Sequence, residues 1–286
     1  MLKGVGVSIF LFYVFVCTIS VKGEEKAVNY FPATIGSYWV YEDQDGNELK
    51  RTVIEGEEIA GETYHAFSYE PEIEDWVDFS RFIHPELFKL SDKGITLSVK
   101  EDVEKAFHAR LTKEMKMFID VFKNETSNVE AEPTYTIKVE AEKDFMLLNT
   151  PIDLNEEWNT SKINASLTFG LTQGDSVTID FTIIETGIVK RKETVETSAG
   201  TFENCLKVQF RTETVATFDQ DIEPDEVDPP GETVTTVWFA PNVGIVKYHQ
   251  VMNHMFLELI PDEEGLPLPN APEPKTLELK EYEIKK

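Results

Sequence analysis

Cysteine is nearly missing from this chain of 286 residues, which contains two, Cys17 and Cys205. Cys17 falls inside an N-terminal segment that reads as a removable leader, which leaves Cys205 alone. That excludes an internal disulfide, a cysteine zinc site and a redox pair. Histidine is scarce too. The five histidines are His65, His84, His108, His249 and His254, and no two have the i, i+4 helical or i, i+2 strand spacing of a metal pair. Positive charge is also in short supply: 27 Lys and Arg stand against 53 Asp and Glu, a formal net charge of −26. No basic cluster interrupts the acidic background, which argues against DNA or RNA as a partner and against docking on anionic lipid headgroups. The chain has no Gly-x-Ser-x-Gly elbow and no phosphate-cradling glycine loop. With carboxylates this abundant, pairs of them single out no site.

What the chain does carry begins at its N-terminus. Lys3 precedes an uncharged apolar run from Gly4 to Val21, and Val21-Lys22-Gly23 offers a signal-peptidase site. Residues 1–23 therefore read as a signal peptide. An uncleaved anchor is the rival reading, because the run could just span a bilayer. Phe15 and Val16 before Cys17 lack the small residues of a lipobox. Residues 24–286 read as one exported domain with no further membrane span, in two halves (24–130 and 131–286) if a short echo is meaningful. That echo pairs Pro32-x-x-Ile35-Gly36-x-x-Trp39 with Pro151-x-x-Leu154-Asn155-x-x-Trp158.

The exported part is rich in strand signals. Ser37–Glu42 and Leu49–Glu55 flank the tight turn Asp45-Gly46-Asn47, with further strands expected at Glu62–Tyr69 and Trp76–Ile83. Val177–Ile183 and Leu206–Arg211 alternate strictly between apolar and polar residues. Thr233–Ala240, Ile245–Val251 and Leu277–Leu279 continue the pattern. The loops Phe218–Gly231 and Pro261–Pro274 are acidic or proline-rich and lack it. Asp43-x-Asp45-Gly46-Asn47 opens like a calcium loop, but Ile54 stands where the distal Glu belongs, and a hairpin turn accounts for it. Cys205 sits at the start of a half-buried strand and reads as a small hydrophobe.

One segment follows a different period. From Ser98 to Lys123, apolar residues recur at spacings of three and four, which predicts one long amphipathic helix with Ser98 and Glu101 as a capping box. Val103, Phe107, Leu111, Met115 and Phe118 lie along its apolar stripe. They are expected to face the concave side of the sheet, either as core or as the wall of an apolar groove. The fold class that follows is mainly β (α+β), a curved antiparallel sheet, partly barrel-like, packed on this helix.

Three stretches carry a resemblance: Tyr30–Tyr41 (YFPATIGSYWVY), Glu196–Val208 (ETSAGTFENCLKV) and Trp238–Tyr248 (WFAPNVGIVKY). Together with Leu277-Glu278-Leu279-Lys280 they resemble the TapB-like group of exported bacterial proteins, related to a widespread domain of unknown function. The resemblance covers mainly Pro151 to the end. It implies a curved sheet on helix similar to envelope lipoprotein carriers, a periplasmic or extracellular location, and no cofactor, metal or catalytic residue. The expected role is non-catalytic binding or carriage of an apolar ligand. A structural module that contacts another envelope protein is the alternative, and an uncharacterised hydrolase is a second one.

Overall fold

The computed structural model describes residues 26–125, 133–172, 175–219, 230–260 and 269–286. Its strands begin with the hairpin β1 (Tyr38–Asp43) and β2 (Glu48–Ile54). The short β3 (Glu58–Ile59) and β4 (Glu62–Thr63) follow, then β5 (His65–Glu70), β6 (Leu87–Ser91) and β7 (Gly94–Ser98). Helix α1 (Lys100–Glu125) comes next. After it run β8 (Thr134–Ala141), β9 (Asp144–Asn149), β10 (Glu157–Thr172), β11 (Asp175–Thr197), β12 (Gly200–Phe218), β13 (Thr233–Ala240), β14 (Gly244–Met252) and β15 (Lys275–Glu283). Among the described residues, 13 strands form one sheet in the order β8-β10-β11-β12-β13-β14-β15-β1-β2-β5-β6-β7-β9, and β3 and β4 pair apart.

The fold is mainly β and antiparallel, as the alternation requires. The sheet rolls towards a barrel without closing, since β8 and β9 end it unpaired with each other. Near the gap the Trp158 indole of β10 donates to the Met146 carbonyl of β9 at 3.1 Å, a side-chain bridge in place of a ladder. Bulges in the β10–β11, β11–β12 and β13–β14 ladders supply curvature. No helix among the described residues is long and apolar enough to cross a membrane.

Local chemistry explains the turns. Gly46, Gly200 and Gly244 have φ of 84°, 133° and 100°, where a side chain would be strained, and each sits at a hairpin turn. The two echoing segments share two local features. Gly36 and Asn155 both have positive φ, and Trp39 and Trp158 both donate their indole N–H to a backbone carbonyl. The echo is a repeated strand-entry turn.

Two expectations change. Trp76–Ile83 is not a strand: Asp75 accepts the Val77 N–H and caps a 3-10 turn at Trp76–Asp78, and Ser80 O accepts from both Ile83 N and His84 N. Local hydrogen bonds win there over β propensity. Ser98 is the last residue of β7, paired with Leu87 and Asp144, so it belongs to the sheet and the helix begins at Lys100.

The core is continuous and aromatic. At one end Arg51, 1% exposed, lies among the rings of Trp39, Phe67, Tyr41 and Phe31, with ring centroids 4.6–5.7 Å from its guanidinium carbon. Its Nη2 donates to Tyr41 Oη at 3.0 Å, so ring faces and one hydroxyl replace the carboxylate partner a buried cation usually needs.

Candidate functional site

The non-strand segment after β5 folds beneath helix α1 and leaves a space between them. The cavity measures about 220 Å³. Its floor comes from Val77, Phe79, Ser80, Arg81 and Phe82, and its roof from Val103, Ala106, Phe107, Arg110, Lys113, Glu114 and Met117. Thr212 within β12, with Thr233, Gln250 and Met252 at the ends of β13 and β14, closes the back, while His254, Asn270 and Pro272 stand at the side. The walls are mostly apolar, with a few polar groups converging on them, the usual make-up of a small-molecule site. Wider hollows beside Trp76 and beside Asn164 lie open on the surface.

The helix stripe is divided between two duties. Val103 and Phe107 line the cavity. Leu111, Met115 and Phe118 do not. They are buried in the core, where the Phe118 ring meets Phe256 edge-on at 5.3 Å and Phe169 at 6.3 Å.

A polar cluster that the sequence does not single out borders the cavity. Glu114 is 3% exposed, and its carboxylate accepts the N–H groups of Met255, Phe256 and Leu257 at 2.7–3.3 Å. Those groups open the 3-10 turn Leu257–Leu259, so the carboxylate sits at its positive end. Arg110 Nε lies 3.4 Å from Oε1, and His254 Nδ1 3.8 Å. Burial alone would raise the Glu114 pKa. His254, Arg110 and the backbone N–H groups outweigh burial and hold it below the carboxylate range. His254 moves the other way. The neighbouring carboxylate lifts its pKa against burial, helped by the Asn270 carbonyl, 2.9 Å from Nε2.

A second buried ion pair lies deeper. Arg81 reaches Glu185 of β11, which is 3% exposed, and its guanidinium lies 4.9 Å from the Phe145 ring centroid. Burial raises the Glu185 pKa, and Arg81 opposes the rise. Beside them the buried Ser80 side chain lines the cavity, next to the buried Tyr248 hydroxyl.

The remaining candidates are structural. The Cys205 thiol is buried and donates to Phe202 O at 3.3 Å, and burial pushes its pKa up to about 11. Asp43 spends its carboxylate on Asp45 N, Asn47 N and Asn47 Nδ2 at 2.8–3.0 Å, which closes the hairpin turn. Most of the acidic loop Phe218–Gly231 lies outside the described residues. Among the described residues, no three of His, Cys, Asp and Glu gather as a metal site.

Glu114, Arg110, Arg81 and His254 are therefore the site residues missed by sequence reasoning. Arg110 and Glu114 have helical i, i+4 spacing, the one available signal, but that spacing is ordinary on a solvated surface. Only the fold of residues 253–257 over the helix buries the pair.

The DUF3108-like family matches residues 98–253, from the end of β7 through β14. No curated protein matches the chain. Two solved structures are similar to it. One is a candidate lipoprotein from Parabacteroides distasonis ATCC 8503, with 15% identity over 89% of this chain and 98% of that one, and a TM-score of 0.36. The other is a candidate exported protein with a YmcC-like fold from Bacteroides fragilis NCTC 9343, with the same identity and coverage and a TM-score of 0.35.

Proposed function

The chain belongs to the DUF3108-like family, and from that premise we propose that it is an exported, non-catalytic protein that binds or carries an apolar ligand. The observation that carries this reading is the cavity between α1 and the Trp76–Ile83 segment, walled by Phe79, Phe82, Val103, Phe107, Met117 and Met252. The TapB-like resemblance and the leader at residues 1–23 support an envelope setting. The nearby charged groups have architectural work: Glu114 anchors residues 255–257 to the helix, and Glu185 neutralises Arg81. That supports binding over catalysis, in which such groups would face a substrate with free valences.

The test is a neutral apolar probe. N-phenyl-1-naphthylamine should fluoresce on binding the native protein, and Ala106→Trp, which fills the roof of the cavity, should abolish the signal while the protein stays folded. No binding by the parent protein would refute the reading and favour the structural module, a role that fits the burial of Leu111, Met115 and Phe118 as plain core.

A further inference from the structure

The overall charge of −26 should repel any anion, yet the mouth of the cavity is cationic. Arg110 and Lys113 project from neighbouring turns of α1, three residues apart, a spacing that puts their side chains on one helix face. His254 stands opposite, and Glu114 carries the facing negative charge. That carboxylate is already engaged by three backbone N–H groups, Arg110 and His254. Arg110 is only partly used: Nε faces Glu114 and Nη2 donates to the Asn253 carbonyl. Lys113 is exposed and makes no ion pair or hydrogen bond among the described residues.

Behind this rim the surface turns apolar along the helix, through Phe107 and Val103 over Phe79 and Phe82. From Lys113 back to Val103 the lining covers nearly three turns, about 15 Å at 1.5 Å per residue. A long, narrow apolar trough with a cationic rim matches one shape of ligand.

We propose that the cavity takes a single-chain amphiphile with an anionic head, a carboxylate or a phosphate monoester, its tail along α1 and its head on Lys113 and Arg110. This rests on the apolar-ligand reading above and adds the headgroup to it. The membrane surface itself is excluded by the acidic exterior, so one amphiphile enters the trough while the bilayer is repelled. Lys113 is the discriminating residue, because Arg110 also has a structural duty towards Glu114 and Asn253.

The experiment is competition for bound N-phenyl-1-naphthylamine by dodecanoate, dodecyl phosphate, dodecan-1-ol and dodecylammonium, each below its self-association concentration. At low salt at least one of the two anions should bind about tenfold tighter than the alcohol, as a charge-assisted hydrogen bond supplies. The advantage should shrink as salt rises. Lys113→Gln should lower affinity for the anion roughly tenfold and leave the alcohol unchanged, with the melting temperature unaltered because the side chain is exposed and unpaired. Lys113→Glu should shift the preference towards dodecylammonium. Equal binding of anions and alcohol would overturn the headgroup inference and leave the apolar site standing. An anion preference that survives both Lys113 variants would overturn its placement at this rim. Failure of all four ligands and of the probe would overturn both readings.

Discussion

Leu111 and Phe107 lie four residues apart on one helical stripe, and the structure gives them different surroundings that a pair of truncations can separate. Leu111 is fully buried. Leu111→Ala removes its packing and leaves a void among fixed neighbours, at a cost of about 3 kcal/mol, inside the usual range for buried leucines. For a chain of this size that lowers Tm by roughly 6–12 °C. Phe107 is half-buried and already faces open space. Phe107→Ala forfeits only the transfer energy of the part it buries, about 1 kcal/mol, with little added cavity penalty because the volume joins an existing cavity. Its Tm should fall by roughly 2–4 °C. Thermal unfolding followed by circular dichroism reads the first quantity, and titration with N-phenyl-1-naphthylamine reads the second. Phe107→Ala should change probe affinity severalfold, and Leu111→Ala should leave it unchanged. If both truncations cost the same stability and neither alters probe binding, the trough is closed core and the argument for a ligand fails.

Glu114→Gln should cost about 3–5 kcal/mol, because Arg110 and His254 lose their shared carboxylate in a buried site; a chemical-denaturation midpoint within error of the parent would refute its anchoring role. The same pair sets a pH window. Glu114 has a lowered pKa, so its stabilisation is present above the ordinary value of 4.5 and is lost as pH falls through the folded value. His254 has a raised pKa, so its contribution is complete below the ordinary value of 6.5 and fades as pH rises through the folded value. Denaturation midpoints should peak between these limits, and the peak should flatten in Glu114→Gln. Cys205 should react with Ellman's reagent only on unfolding, given its burial and a thiol pushed up to about 11; rapid labelling of native protein would contradict this. Gly94→Ala should destabilise by at least about 2 kcal/mol, since φ is +134° and a Cβ would meet the Leu148 carbonyl oxygen at 2.0 Å, and an unchanged Tm would show that β7 and β9 do not pair as described. Amino-terminal sequencing of exported protein should find Glu24 first; recovery of Met1 with the apolar run attached would establish an anchor.

Local signals were enough for much of this molecule. Alternation in Val177–Ile183 and Leu206–Arg211 marks strands because a pleated backbone points successive side chains to opposite faces. The stripe from Val99 to Phe122 marks a helix because side chains three and four apart share a face. Gly46, Gly200 and Gly244 announce turns because glycine tolerates positive φ. The apolar residues flanking Cys205 already placed it indoors.

Tertiary structure decided the rest, for reasons that no short window contains. The ladders of β1 with β15 and of β7 with β9 join segments far apart in the chain, and these partners fix which strands are central and which end the sheet. Trp76–Ile83 has strand-like composition, yet Asp75 and Ser80 satisfy its backbone locally and turn it into the cavity floor. The helix period cannot say which stripe residues meet core and which meet a void. Val103 and Phe107 line the trough only because the Trp76–Ile83 segment lies opposite them. Glu114 reads as one more surface carboxylate until residues 253–257 fold over it, and their N–H groups then make burial of its charge favourable. Periodicity is a property of neighbours in sequence, while burial, charge pairing and empty space depend on neighbours in space.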